Sequence, residues 1–521
     1  MPLAPTAGTL ARMLKQLLRT KSLDALLGEG QNPEHQLKRA LGSLDVVLLG
    51  IGAIIGAGIF ATIGTAAAGD AVRPGAGPAL ILSFAVTAVA CGVAALCYAE
   101  FAAMVPIAGS AYTYAYSTMG EMVAWIIGWD LIIEYAVGNV AVAISWANYF
   151  RTLVAGFGLV IPDWLATDYR TAARIPGLLD QAPHLFGVPI VANVAAAAIV
   201  AAITIVLVIG VRASARVNNG MVIVKLLVLA LFVGVGIHYV HPANWTPFAP
   251  NGWAGVQAGA AVVFFAYIGF DAVSTVAEEV RDPQRDLPIG IIGSLVVCTV
   301  VYVLVAAVFT GIIPYPALVA TLATQQAEPL TLALQYARIE RYGDLLVGVV
   351  ALGSVVAHTA VLLVFQLGQP RIFFSMARDG LLPPAFARVH PRYRTPHITT
   401  ILTGLAVGIT SMFASIDEMV DLTNIGTLFA FILVCIGVLI LRRREPDRPR
   451  GFVTPLAPWL PLLGVAACVY LMLGLPAITW YRFGLWLAVG LALYLAYSRR
   501  HSRLNRPASV ASPPSARRPA G

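Results

Sequence analysis

The sequence contains few charged residues. Only 12% of its 521 residues are Asp, Glu, Lys or Arg, whereas 59% are apolar. A chain of this composition cannot bury so much apolar surface in a water-soluble core, so the excess must face lipid. An ordinary water-soluble globular protein is therefore excluded. The formal net charge of +8 lies in the connections between apolar stretches, so it indicates no nucleic-acid partner.

Cysteines are also few, and their spacing forms no recognisable site. The five are Cys91, Cys97, Cys298, Cys435 and Cys468. They lie inside apolar stretches and lack the spacing of a disulfide framework or a zinc site, so no metal and no cofactor is predicted. The first forty residues have no compact apolar run followed by a small-residue cleavage site. We therefore expect no cleaved signal peptide.

Long apolar stretches recur from Asp45 to Ser498. Each is about 20 residues long, which is enough to cross a hydrocarbon core about 30 Å thick. They are too continuous for barrel strands, and backbone groups in lipid must be paired within the segment, so we predict helices. The predicted fold is an all-α polytopic membrane protein. Its twelve helices are expected at residues 45–68, 77–104, 122–149, 188–210, 219–238, 256–280, 289–312, 345–370, 397–413, 418–441, 455–474 and 479–498.

The basic residues predict the orientation of the chain. With both termini in the cytoplasm, most of the 34 Lys and Arg residues lie on the inner side. We expect a multi-pass protein of the cell (inner) membrane with four regions. They are a cytoplasmic N-terminal segment (1–44), a core of helices 1 to 10 (45–441), a cytoplasmic loop with helices 11 and 12 (442–498), and a disordered cytoplasmic tail (499–521). The outer loop before helix 8 is expected to hold a short lid-like helix at 330–339.

Two of the predicted helices have irregular sequences. Helix 1 contains Gly52, Gly56 and Gly58 within nine residues, and helix 6 contains Gly269 and Asp271 at mid-span. Glycines four apart can indicate close helix packing alone. Two irregular helices five apart instead suggest inverted halves whose corresponding helices are interrupted near the bilayer midplane. Amides at a half-helix N-terminus favour a carboxylate, and freed carbonyls accept hydrogen bonds from an ammonium, so an α-amino acid fits both.

Three segments carry a resemblance to a known family: residues 52–60 (GAIIGAGIF), 264–288 and 368–383. In these segments the chain resembles the amino acid-polyamine-organocation superfamily, specifically bacterial relatives of the cationic amino acid transporter family. The resemblance implies a five-plus-five inverted-repeat core with two further helices and with helices 1 and 6 broken. It also implies that the substrate carboxylate is bound at Ile55, Gly56, Ala57 and Gly58. The substrate amino group is expected at the carbonyls of Phe265, Ala266 and Ile268.

Lys225 lies about two turns inside helix 5. From its position alone, the side chain either extends to the cytoplasmic face or has a functional role within the membrane. In the sodium-independent transporters that the chain resembles, a lysine in this helix replaces the bound cation and is proposed to switch protonation during transport. The resemblance therefore implies proton coupling through Lys225.

Two further ionisable residues lie within predicted helices. Glu134 in helix 3 either pairs with Lys225, reaches a cationic substrate, or forms a hydrogen bond between helices. His358 in helix 8 is expected either to select the substrate side chain or to act as a local packing partner. Asp271 is expected to support helix 6, while Glu100, Glu278 and Glu279 are expected to make inner-gate or loop contacts.

These expectations favour a secondary permease that imports an L-amino acid by sodium-independent proton symport, with alternating access. Its partners are the amino acid, protons and membrane lipids. The substrate is either a small neutral amino acid such as alanine or a cationic one. An exchanger on the same fold is the nearest alternative, and a substrate-sensing receptor is a weaker one because the short polar ends provide no output domain. An enzyme is not expected, since His238, His241, His358 and His397 lack ligand spacing.

Overall fold

The computed structural model describes residues 19–21, 23, 39–106, 110–210, 215–324, 328–340 and 342–505. Eight helical segments in these ranges are long and apolar enough to cross a membrane: Gly77–Met104, Glu121–Ala155, Val217–Tyr239, Gly252–Glu279, Pro283–Ile312, Gly343–Arg378, Ile416–Arg444 and Ala477–His501. Four shorter apolar helices are Ser43–Ile54, Val194–Ile209, His397–Phe413 and Trp459–Met472. Together they occupy the twelve predicted positions, and we number them span 1 to span 12 in chain order. The predicted polytopic all-α fold is confirmed.

Span 1 is interrupted in its middle. The helix Ser43–Ile54 ends at Ile55, whose backbone is extended (φ −75°, ψ 104°). Gly56 follows with φ −159° and ψ −140°, and the chain then resumes as the short helices Ala57–Phe60 and Thr62–Ala68. Because these two residues leave the helical region, the carbonyls before them and the amides after them lose their intrahelical partners.

Span 6 is interrupted at the corresponding place. Its helix Gly252–Val263 tightens into the 3-10 segment Phe264–Tyr267, and Ile268 is extended. Gly269 has φ +118°, a value that residues other than glycine rarely adopt. The chain then continues as the 3-10 segment Asp271–Glu279. The predicted breaks in helices 1 and 6 are therefore both present.

The packing of the spans follows the expected repeat. Spans 1, 2, 3 and 4 each contact the span five further along the chain, namely spans 6, 7, 8 and 9. Two halves with opposite topology place equivalent helices beside one another in this way. Span 3 also contains a π-helical turn at Ile133–Val137, which widens the helix around Glu134.

Several boundaries differ from prediction. The helix predicted at 188–210 begins at Val194, because Val188–Pro189 form a strand of a hairpin. Span 8 continues to Arg378 through Pro370, where the predicted helix ended, because neighbouring spans in a membrane bundle can satisfy the backbone groups that a proline frees. Span 12 continues to His501. The tail predicted to be disordered (499–521) is helical at Arg499–His501 and Arg503–Asn505, so that prediction is wrong for these residues. Most of the predicted N-terminal segment, and the tail from residue 506 onward, lie outside the described residues.

Two of the longer connections between spans are folded. The connection between spans 3 and 4 carries a small antiparallel hairpin, His184–Leu185 with Val188–Pro189. The connection between spans 7 and 8 contains the helix Pro329–Tyr336, which confirms the predicted lid-like helix. Pro329 of this helix packs directly on Gly64, in the last helical segment of span 1.

Candidate functional site

The two breaks lie against each other. A Cβ atom added to Gly58 would lie 2.1 Å from the Cα atom of Ala266, so the two backbones are in direct contact. The residues predicted to bind substrate are all buried: Ile55, Gly56, Ala57 and Gly58 of span 1, and Phe265, Ala266 and Ile268 of span 6. The structure therefore brings the two predicted sets together in the middle of the bundle.

Tyr302 of span 7 links the two breaks. Its hydroxyl lies 2.8 Å from the Ala266 carbonyl oxygen and 3.2 Å from that of Ile54, and it can donate to either. The side chain is fully buried. Sequence analysis missed this residue because Tyr302 stands alone in an apolar run, with no motif around it. One of the carbonyls predicted to accept from substrate thus has an internal donor.

Lys225 caps the first half of span 1. Its Nζ atom donates to the carbonyl of Gly52 at 2.6 Å and to that of Ile55 at 2.8 Å. The side chain is 0% exposed, so it does not extend to the cytoplasmic face. These carbonyls need an external donor because the helix stops at Ile54. The structure therefore places Lys225 at the break itself, and the interpretation as a snorkelling lysine is wrong.

Glu134 lies on the π-helical turn of span 3 and is buried. Its neighbours are Asp271 of span 6 and Thr427 of span 10, and the adjacent Tyr135 hydroxyl donates to Asp271 at 3.4 Å. The Lys225 ammonium is instead directed at span 1. Of the three expectations for Glu134, the structure thus shows a contact between helices and no pairing with Lys225.

His358 lies beside the second half of span 1. Its ring centroid is 5.7 Å from that of Phe60 and 5.8 Å from that of Tyr149. Its Nδ1 atom lies 2.7 Å from the Ser354 carbonyl, and its Nε2 atom lies 2.8 Å from the Ser145 hydroxyl. A neutral imidazole satisfies both contacts, with Nδ1 donating and Nε2 accepting. His358 is thus both a packing partner and a wall of the region around the break.

Several polar contacts converge on Glu100 at the end of span 2. Its carboxylate accepts from the Arg442 guanidinium at 2.7 and 2.9 Å and from the Thr454 amide at 2.9 Å. Arg450 lies 3.3 Å from the same carboxylate. The expected loop contact for Glu100 is present. Glu279 contributes its backbone carbonyl, which accepts from the amide of Leu41 at 3.1 Å.

A buried ion pair joins the connection after span 1 to span 10. The Arg73 guanidinium donates to Asp421 at 2.5 Å and to Asp70 at 2.6 and 2.9 Å. Burial opposes the charged guanidinium, but the carboxylates of Asp421 and Asp70 outweigh burial and raise the pKa of Arg73. Sequence analysis missed this pair because the two residues are 348 positions apart.

Replacing Arg73 by glutamine is expected to lower the free energy of unfolding by about 3 to 5 kcal/mol, because the buried Asp421 carboxylate loses its counter-charge. Thermal unfolding of the purified protein measures this loss. Arg170→Gln is the matched control, since Arg170 is 60% exposed and its partner Glu418 keeps Arg482 at 2.8 Å. The control is expected to cost at most about 1 kcal/mol. Equal losses for the two variants would contradict a stabilising role for the buried pair.

Glu328 precedes the lid-like helix and is buried against span 3. Burial raises the pKa of its carboxyl to about 8, although Asn148 and Arg151 favour the ionised form. Its Oε2 atom has no hydrogen-bond partner in the described part of the chain. The folded protein therefore holds a proton on Glu328 at pH values where the unfolded chain has lost it.

The unfolded pKa of a glutamate is about 4.5, so the folded state binds more protons between about pH 4.5 and pH 8. Stability is then expected to fall as pH rises through this window, by up to roughly 5 kcal/mol. Glu328→Gln keeps the neutral shape and is expected to flatten this fall when melting temperature is measured from pH 5 to pH 9. The exposed Glu340→Gln serves as control. A Glu328→Gln profile parallel to the wild type would refute the buried proton.

The chain is similar to known proteins over most of its length. Residues 41–493 match the family model described as amino acid permease. The chain is 45% identical over 494 residues to the branched-chain amino acid permease BcaP of Bacillus subtilis, covering 95% of this chain and 100% of that protein. It is 43% identical over 493 residues to the methylthioribose transporter of the same organism, with the same coverage. It is 39% identical over 445 residues to the vacuolar cationic amino acid transporter 2 of Arabidopsis thaliana, covering 83% of this chain and 64% of that protein.

Proposed function

Because the chain belongs to the amino acid permease family, we propose that it imports an L-amino acid across the cell membrane by sodium-independent proton symport. Both termini are in the cytoplasm in this proposal, and the bundle alternates between outward and inward access. The observation that supports it most is the direct contact between the two broken spans. Lys225 of span 5 donates hydrogen bonds to the first of these breaks.

The breaks supply groups for both ends of an α-amino acid. The half-helix that begins at Ala57 presents its first amides, and its positive dipole end favours the substrate carboxylate at residues 55–58. The carbonyls of Phe265, Ala266 and Ile268 face the amino group. A carbonyl oxygen accepts two hydrogen bonds, so the Ala266 carbonyl can accept from the substrate while Tyr302 remains near it.

Lys225 supplies the coupling step. A protonated ammonium has three hydrogens to donate and can hold the carbonyls of Gly52 and Ile55 together. Loss of the proton removes the charge that strengthens these bonds and releases the end of the first half-helix. Movement of that half-helix then opens the inner side, so proton release and substrate release occur together.

The surroundings of the break favour a neutral side chain. Val361 of span 8 packs against Gly56, and His358 and Tyr149 pack against Phe60. These groups are apolar or neutral, so they match an aliphatic side chain better than a cationic one. The name of the 45% identical relative, a branched-chain amino acid permease, is in keeping with this choice.

Uptake into proteoliposomes tests the proposal. Labelled alanine, leucine and arginine are supplied with an inward proton gradient and without sodium, and unlabelled methylthioribose is added as competitor because a relative is named for it. We expect gradient-driven accumulation of alanine or leucine, little arginine uptake and no competition. Uptake only into vesicles preloaded with amino acid would establish exchange instead. Uptake of labelled methylthioribose in a separate assay, with no amino-acid uptake, would overturn the substrate class.

A further inference from the structure

A cavity of ≈ 620 Å³ lies beside the first turns of span 7, at the end that the proposed orientation places in the cytoplasm. It is formed by span 7 and by the connection between spans 10 and 11, where Gly451 packs on Gln284. Its residues belong to neither broken span. The transport mechanism above therefore gives this cavity no role.

The mouth of the cavity carries one charge of each sign. Asp282 precedes the first residue of span 7, but its carboxylate makes no capping hydrogen bond to the helix. Arg285 follows three residues later, so the two side chains are neighbours on one side of the first turn. Within the described ranges, no salt bridge joins either side chain to another residue. Both groups are exposed and available to a ligand.

The floor of the cavity is apolar and continues along the membrane. Ile289, Ile292 and Phe452 line it. Beyond it, Val296 and Val300 of span 7 are 57% and 55% exposed. Together with Ile289 and Ile292 they recur at spacings of three and four residues, so they lie on one face of the helix. In a membrane-spanning bundle this face contacts lipid. A ligand bound here can therefore have a charged head at the mouth and a long apolar tail along span 7.

We propose that this cavity is a binding site for phosphatidylethanolamine. The Arg285 guanidinium binds the lipid phosphate with charge-assisted hydrogen bonds, and the Asp282 carboxylate accepts from the primary ammonium of the same headgroup. One acyl chain lies over Ile289, Ile292 and Phe452. Phosphatidylglycerol lacks a cation for Asp282, and the trimethylated ammonium of phosphatidylcholine has no hydrogen to donate, so the paired charges select one headgroup.

The lipid would lie close to the first half of span 1. Gly290 and Gly293 of span 7 pack against Val46 and Val47 of that half-helix. A lipid bound on span 7 therefore lies close to the half-helix of span 1 whose end accepts hydrogen bonds from Lys225. Its binding is nevertheless separable from transport, because a direct measurement of bound lipid requires no substrate and no gradient.

Native mass spectrometry of the purified protein, exchanged into equal mixtures of the three phospholipids, tests the site. We expect the wild type to retain phosphatidylethanolamine in preference to the other two. Arg285→Gln and Asp282→Asn are each expected to weaken its retention about tenfold, the effect of losing one charge-assisted bond. The matched controls are Arg281→Gln and Asp447→Asn, which remove exposed charges of the same sign outside the cavity. Both controls are expected to behave as the wild type.

Ile292→Trp provides a second, independent variant, because it fills the apolar floor and keeps both charges. It is expected to lose the lipid as well. If a charge variant does not fold, the amount of lipid that Ile292→Trp retains tests the site instead. Equal retention of phosphatidylglycerol, or retention that neither charge variant changes, would overturn the proposal. Failure to retain any phospholipid would do the same, whatever the uptake assays show.

Discussion

Uptake driven by a proton gradient is expected to fall to the level of protein-free vesicles when Lys225 is replaced by alanine. The substitution removes the ammonium group that donates to the carbonyls of Gly52 and Ile55. It also removes the group proposed to carry the proton. The measurement is the initial rate of labelled amino-acid uptake at several external pH values, with a cooperative thermal unfolding transition showing that the variant folds.

Val224→Ala is the matched control for this experiment. Val224 is the preceding residue of span 5 and is 40% exposed, so its shortening leaves the bundle interior unchanged. The control is expected to transport at the wild-type rate. If Lys225→Ala still takes up amino acid with the same pH dependence, Lys225 has no coupling role. Retained exchange without gradient-driven accumulation would instead separate coupling from binding and support the role.

A single added methyl group at Gly58 is expected to abolish substrate binding. In Gly58→Ala the new Cβ would lie 2.1 Å from the Ala266 Cα atom, and real contacts of this kind do not fall below about 3 Å. The neighbour is backbone, which has no alternative rotamer, so spans 1 and 6 must separate. Equilibrium binding of labelled amino acid to the purified protein, together with its melting temperature, measures both consequences.

Gly234→Ala supplies the control, because an added Cβ there meets nothing within 4 Å. Alanine in place of an exposed helical glycine is expected to leave binding unchanged and to stabilise the helix by up to about 1 kcal/mol. Wild-type binding by Gly58→Ala would show that the contact between the breaks is not part of the substrate-binding arrangement. The proposed carboxylate and ammonium sites would then have to be placed elsewhere.

The breaks could be predicted from the sequence because their cause is local. Gly269 lies in a backbone conformation that favours glycine, and the glycines of span 1 cluster where the helix stops. Both signals are visible within a dozen residues. The membrane spans were predictable for a similar reason, since length and hydropathy decide whether a helix can cross lipid.

Contacts between distant parts of the chain could not be predicted in this way. Tyr302 contacts Ile54, which is 248 positions away in the sequence, and no local spacing predicts such a pair. For Lys225, depth in the membrane was predictable, but the choice between the cytoplasmic face and span 1 depends on the rotation of span 5. The continuation of span 8 through Pro370 depends on neighbouring helices, which a local pattern does not describe.

The Tyr302 hydroxyl has a consequence for how quickly cargo leaves the protein. Its single hydrogen lies within reach of two carbonyls, one from each broken helix. In the proposed site, an arriving ammonium shares the Ala266 carbonyl with this internal donor, so it gains less than it would from a carbonyl with no other partner. When the substrate leaves, the carbonyl keeps the hydroxyl as a donor, which lowers the cost of separation. A carrier that releases solute on every cycle gains turnover from such weakened retention, since affinity differences are expressed mainly in dissociation rates.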